Sequence, residues 1–398
     1  MNDAEIPGVS RLALAIALLL ASTSPVHASG NMVDLGAFAD KPPSIVSGIS
    51  ADGAVVVGFG SINNAVHAFR WTQSGGMVTL DSPSVVRSLS TGVSADGAVV
   101  VGNSAGIDGH SHIFRWTQSE GMVDLGFLPG AGRGTAFGVS ADGTVVVGEC
   151  SAINSDNNRV YHWTKSGGMI ELGSLPGSVS SSANGVSADG AVVVGNSTDD
   201  TGNTQAFRWT PSSGTVGLGF LPGATTSAVE MISADGTVIV GRSGIPGVKD
   251  QAFRWTPSAG MIALGVLPGG TQSFVTGVSA DGAVMVGYGD IGKGRYRAFR
   301  WTKSGGMIAL GDPPAGYVHS YATAVSADGA VVAGRLGARD GRQQAFRWTK
   351  SGGMEDLGLL SGYKMSAATH VSANGAAVVG QGEGDGARAF RWMNGNVK

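Results

Sequence analysis

The chain contains a single cysteine, Cys150, among 398 residues, so no intramolecular disulfide is available and packing must hold the fold. Charge is scarce as well, at 14% Asp, Glu, Lys and Arg against the roughly 25% of ordinary soluble proteins. The 26 Lys and Arg against 29 Asp and Glu leave a net charge of −3, with no basic run or basic face, which removes the electrostatic basis for a nucleic-acid partner. No apolar run approaches the ~20 residues of a membrane-spanning helix. The longest is Leu12 to Ala21, after Arg11 and before a polar stretch ending Val26-His27-Ala28. It reads as a secretory signal over residues 1–28 with a small-residue cleavage site after Ala28, although Asp3 and Glu5 make its start less positive than usual. Export to the periplasm, cell surface or medium is therefore expected. No helical period stands out, and no nucleophile elbow, metalloprotease helix or phosphate loop appears.

What is abundant is glycine, at 66 residues, and with it a repeat. The tetrapeptide Ser-Ala-Asp-Gly places its Asp at Asp52, Asp96, Asp142, Asp189, Asp235, Asp281 and Asp328, with Asn374 in the eighth copy, at spacings of 44 to 47 residues. All eight tryptophans keep the same register: Trp71, Trp116, Trp163, Trp209, Trp255, Trp301, Trp348 and Trp392. A period of that size is a propeller blade or a solenoid unit.

Four short strands fit each unit. In the third copy, Ala136 to Ala141 and Thr144 to Gly148 flank Asp142-Gly143, a hairpin signal in which both turn residues are expected at positive φ. The second strand is nearly all apolar, as in Ala54-Val55-Val56-Val57, and should be covered on both faces. The third carries Ala-Phe-Arg-Trp-Thr, where alternation puts Phe207 and Trp209 on one side and Arg208 on the other. The fourth is Met-Val-Asp-Leu-Gly or a variant, often stopped by Leu-Pro-Gly. The segment 31–36 is a stray fourth strand, and the last copy lacks one. Each end supplies what the other lacks. The expected fold is an all-β, eight-bladed β-propeller over residues 29–398, closed by the N-terminal strand, with a β-solenoid as the alternative.

With the unit defined, the sequence resembles the bacterial extracellular HAF-repeat family, named for a His-Ala-Phe tripeptide ahead of a Trp and a Met-x-x-Leu-Gly segment. The tripeptide stands here as His67-Ala68-Phe69, before Trp71 and Met77-Val78-Thr79-Leu80. Other copies keep Ala-Phe after Gln205, Gln251, Arg297, Gln344 and Arg388, while His112-Ile113-Phe114 and Val160-Tyr161-His162 depart further. The resemblance covers nearly all of the chain after residue 28 and implies a secreted or surface protein of unassigned biochemical role. Some members bear a C-terminal autotransporter barrel. Here the array runs to Lys398, which leaves a released propeller or a truncated reading frame as expectations.

An arginine precedes the Trp in seven copies (Arg70, Arg115, Arg208, Arg254, Arg300, Arg347, Arg391), with His162 in the third. Recurrence in every unit points to a structural donor between blades rather than a ligand ring. The recurrent Asp is read as turn chemistry, since the alternating acids of a calcium loop are missing. Variation between copies marks a different surface. The second-to-third connections (103–112, 149–159, 196–205, 242–251, 288–297, 335–344) differ in length and content and should share one face of the ring. His110, His112, Asp156, Asn158, Asp199, Asp200, Lys249, Tyr296 and Arg342 are the candidate binding residues there. No catalytic residue, metal site or cofactor is assigned. The leading reading is a binding module for a glycan or protein. The rivals are a propeller hydrolase or lyase acting on extracellular polysaccharide, which needs carboxylates converging in one pocket, and a passive spacer.

Overall fold

The computed structural model describes residues 32–38, 43–82, 85–106, 110–244 and 250–395. The segment read as a signal peptide lies outside them. Among the described residues every regular element is a strand, and the 32 strands form eight four-stranded antiparallel sheets. Blade 1 comprises β2 (Ser44–Ile49), β3 (Val55–Ile62), β4 (Ala65–Thr72) and β5 (Gly76–Thr79), paired in that order. Blades 2 to 7 repeat the pattern. Blade 8 takes its fourth strand from the other end of the chain: β1 (Met32–Asp34) pairs with the strand Gly386–Met393 through Met32↔Trp392, Val33↔Arg391 and Asp34↔Phe390. The first strands touch in succession around the ring, and that of blade 8 returns to β2. The molecule is a closed eight-bladed β-propeller, and the solenoid alternative falls.

Packing between blades follows from the alternation in the third strand. Phe207 and Trp209 of blade 4 face back into a core with Val145 and Val147 of blade 3, whereas Val192, Val194 and Ala206 face forward onto Ile239 and Phe253 of blade 5. The valine runs are covered on both sides, with Val56, Val57, Val193 and Val194 fully buried. Each run ends in glycine because the Phe of the third strand lies directly across from it, as in Gly58↔Phe69. A Cβ on Gly58 would stand 2.0 Å from the Ile45 carbonyl oxygen and 2.6 Å from the Phe69 ring. Directly opposite, every inner strand carries a one-residue bulge at the same register, such as Ser47, Thr276 and Thr323.

The Ser-Ala-Asp-Gly turns differ from expectation in one respect. Only the glycine adopts positive φ, 72° at Gly143, and Asp142 does not. The flanking strands are Arg133–Val139 and Val145–Ser151, so the turn spans more than the Asp-Gly pair. Gly143 N–H donates to Ser140 O at 3.0 Å, which makes glycine the fourth residue of a four-residue turn and Asp142 the third, where no left-handed conformation is required. The Asp carboxylate accepts from Ser140 Oγ at 2.6 Å and Thr144 N–H at 3.0 Å, while Ser140 Oγ accepts from Val145 N–H at 2.9 Å. The alanine has its own task. Ala51 N–H donates to Ala95 O at 2.8 Å, Ala95 N–H to Ala141 O, and so on, until Ala373 N–H returns to Ala51 O at 2.9 Å. In blade 5 Asp235 N–H is the donor, to Ala280 O at 3.1 Å. A continuous circle of backbone hydrogen bonds thus joins all eight blades on the turn face.

These turns set an acid limit. Hydrogen bonding from the Ser hydroxyl, then from the backbone N–H, holds Asp52, Asp96, Asp142, Asp189, Asp281 and Asp328 below the ordinary carboxylate range, and Asp235 is lowered against the opposing effect of burial. A carboxyl depressed in the fold stabilises it above the unfolded value near ~3.9, and that contribution disappears as pH falls through the lower folded value. Copy eight already substitutes an amide, since Asn374 Oδ1 accepts from Ser372 Oγ at 2.7 Å and Ala376 N–H at 3.0 Å. Converting the seven aspartates to Asn is therefore expected to flatten the loss of thermal stability below pH ~4 while leaving the neutral-pH midpoint nearly unchanged. Parallel melting curves at pH 3 and 7 would refute this if the acid loss were undiminished.

Candidate functional site

Antiparallel blades sort the connections by face. The Ser-Ala-Asp-Gly turns and the outer Thr-x-Ser-Gly-type turns share one face, and the second-to-third connections and blade crossovers share the other. The arginines before Trp lie near the turn face, between blades: Arg70 Nε donates to Gly97 O of the next blade at 3.1 Å and Arg115 Nε to Gly143 O at 3.3 Å. Arg391 and Arg347 each stand 5.6 Å from the Trp71 and Trp392 rings of the following blade. The hollow of about 530 Å³ on this face, between blades 2 and 3, contains Arg115 and Lys165, and both cations are held by Glu120.

The candidate residues are spread over the opposite face, blade by blade. His112 Nδ1 meets Asp124 Oδ2 at 2.7 Å, within its own blade, and His110 just precedes the same strand, Ser111–Thr117. In blade 3, Asp156 binds Arg133 at 3.0 Å and Asn158 Nδ2 donates to Glu149 Oε1 at 2.7 Å. Burial raises the Glu149 carboxyl to about 7. Asp199 folds its own turn, accepting from the N–H groups of Thr201 and Asn203 at 2.9 Å each, beside exposed Asp200. Lys249 lies outside the described residues. Arg342 pairs with Asp340 at 2.8 Å in the turn of blade 7. The structure does not gather these residues into one pocket. The expected connections are also shorter than the variable stretches, because strands extend into them: in blade 6 the strands Val284–Asp290 and Tyr296–Thr302 leave only residues 291–295 between them.

Tyr296 is the exception, for it belongs to a constellation. Its ring stands 6.0 Å from Tyr288, 5.7 Å from Tyr321 and 6.2 Å from His319. Tyr288 stacks on Phe274 at 5.1 Å and meets Tyr321 edge-on at the same distance. The Arg335 guanidinium lies 5.1 Å over the Tyr321 ring. Gln272 Nε2 donates to Tyr296 Oη at 3.0 Å, and Tyr296 N–H donates to His319 Nδ1 at 3.2 Å. All five rings are half-buried, and desolvation pushes the Tyr288 and Tyr321 phenols up and the His319 imidazole down.

The local cause is a single variable position inside the framework. Tyr288 follows the obligatory glycine of the second strand, where other blades place Phe59, Asn103, Glu149, Asn196, Arg242, Arg335 and Gln381. Its paired partner on the inner strand is Phe274, equivalent to Tyr321 in blade 7. Variation was legible there, since these residues open the variable stretches, yet their convergence across two blades was not. Asn103 and Asn196 use the same position structurally, accepting from Ala136 N–H and Val229 N–H of the next blade at 2.8 Å.

Two cavities open on the same face, one of them lined by residues of the aromatic patch. One of about 440 Å³ lies between blades 4 and 5 and is lined by Asn196, Thr198, Thr226, Arg242 and Asp250. There Arg242 stands 3.4 Å from both Glu230 and Asp250. The other, about 180 Å³, is in blade 7, lined by His319, Tyr321, Arg335, Arg342 and Gln343. Among the described residues, no group of three or more His, Cys, Asp or Glu could hold a metal ion.

No protein-family model matches the chain, and no curated protein matches its sequence. Solved structures do match. Dipeptidyl peptidase 4 from Porphyromonas gingivalis superposes with a TM-score of 0.59 at 12% identity, covering 88% of this chain and 56% of that one. Prolyl oligopeptidase B from Galerina marginata gives 0.55 at 11%, covering 85% and 55%. The chain thus spans about half the length of these peptidases. An oligogalacturonate lyase from Vibrio parahaemolyticus gives 0.51 at 11%, with 91% and 93% covered. The likeness is one of fold. At these identities, chemistry does not carry over with the propeller.

Proposed function

We propose that the protein is an exported recognition module that binds a glycan through the face carrying the second-to-third connections, centred on Tyr288, Tyr296 and Tyr321. The observation that carries this reading is the half-exposed cluster of aromatic rings anchored on rigid strands of blades 6 and 7. Rigid rings offer apolar area at little entropic cost, and the hydroxyl, amide and imidazole groups around them suit a polyhydroxylated ligand. Export rests on the Leu12 to Ala21 run, and kinship with HAF-repeat proteins on the repeat unit itself. A hydrolase or lyase would require several converging carboxylates. Of the residues on the inner strands beside the patch only Glu230 is acidic, and it is tied to Arg242, which favours binding over catalysis.

The full chain on a glycan array, followed by titration calorimetry of the hits, tests the reading. Tyr288→Ala and Tyr321→Ala should each weaken binding about tenfold or more with the fold intact by circular dichroism. A folded protein that captures no glycan, or alanine variants that bind as well as the parent, would rule the proposal out.

A further inference from the structure

We propose that the patch is a subsite for an acidic sugar, whose carboxylate or sulfate sits between Arg335 and His319 in blade 7. The proposal rests on the glycan reading above and narrows its ligand class. Arg335 carries it. Several other arginines of this face are held by carboxylates, Arg133 by Asp156, Arg159 by Glu171, Arg242 by Glu230 and Asp250, and Arg297 by Asp312, whereas Arg87, Arg295 and Arg339 have no ion pair among the described residues but do not line this cavity. Arg335 is exposed, has no acidic partner within ion-pair distance among the described residues, and lies over the Tyr321 ring. A guanidinium held over an aromatic face by cation–π attraction keeps N–H groups available to an anion, which it can grip through two parallel hydrogen bonds.

The cavity beside it is lined on its polar side mostly by donors. His319 accepts at Nδ1 from Tyr296 N–H, so its neutral imidazole presents Nε2–H as a donor. Gln343 and Arg342 complete the lining. The nearby carboxylate, Asp340, is already engaged by Arg342 at 2.8 Å. The cavity, of about 180 Å³, has ample room for an acidic substituent and opens beside Tyr321, whose ring belongs to the aromatic patch. One ligand therefore meets both features: a sugar bearing a negative group on its rim.

The test is calorimetric titration of the full chain with three probes: a uronic-acid hexasaccharide, its carboxyl-reduced neutral counterpart, and a sulfated neutral hexasaccharide. At least one acidic probe should bind about tenfold tighter than the neutral one and weaken as salt is added. The arm that wins identifies carboxylate or sulfate. Arg335→Ala, at an exposed position, should reduce the preference for the acidic probe to under about twofold while neutral binding persists, and Arg335→Lys should restore only part of it. Equal affinity for acidic and neutral probes, or a preference that survives Arg335→Ala, overturns the acidic subsite and leaves the glycan reading standing. Binding of none of the three, or of an acidic peptide instead, overturns both.

Discussion

A chain shortened to begin at Ala37 is expected to lose about 5 kcal/mol of stability and to associate through blade 8. Three strand pairings disappear, along with the bond from Leu35 N–H to Ala389 O at 3.0 Å. Leu35, only 3% exposed, leaves a core shared with Phe69, Trp71, Val379 and Ala389, and burial of such a side chain accounts for roughly 2–3 kcal/mol alone. The remainder comes from stripped backbone pairing, and the strand Gly386–Met393 becomes an open edge able to pair with another copy. Melting curves and size-exclusion chromatography would check this. An unchanged midpoint and a monomeric profile would show that β1 does not close the ring in solution.

The second large effect is expected from one methyl group. Gly241→Ala would place a Cβ 2.0 Å from the Ala228 carbonyl oxygen and 2.8 Å from the Phe253 ring, in a second strand buried on both faces. Neither neighbour can yield, one being backbone in the adjacent strand and the other a fully buried ring. A cost of about 3–5 kcal/mol follows from forced overpacking. Gly260→Ala is the control, since its φ of 65° strains an alanine but nothing lies within 4 Å of the new atom. That variant should lose only about 1 kcal/mol by chemical denaturation. Equal losses in the two would show that backbone conformation rather than contact makes the second-strand glycine necessary.

Blade count, strand order and ring closure were legible because each is written eight times or at both ends of the chain. The Trp register gave the period, and Met32-Val33-Asp34 gave the missing fourth strand. Departures from the repeat were visible without being intelligible. Ile113, standing where six copies have Ala and the third has Val160, fills the space above Gly134, which stands where all seven other blades place a buried serine. A Cβ on Gly134 would meet Ile113 Cδ1 at 2.5 Å. Those serines were overlooked, although Ser44, Ser88, Ser227, Ser273, Ser320 and Ser366 each accept from the third-strand alanine N–H of the preceding blade. A small hydroxyl among small residues gives no periodic signal until the neighbouring blade is in place. The aromatic patch was hidden for a related reason. Phe274, Tyr288, Tyr296 and Tyr321 come from four strands of two blades, and only the register of each pairing brings their rings together.

The pairing of Met32 with Trp392 brings the two ends of the folded array to adjacent positions, where every other blade has a short outer turn. Covalent linkage of Gly395 to Met32 by a few residues would supply that missing loop, and a cut in the exposed turn at Ser166 would create new ends. Such a rearranged gene would encode the same ring with its seam moved to blade 3, so the hydrogen-bonded circle makes no mechanical demand that the seam lie in blade 8.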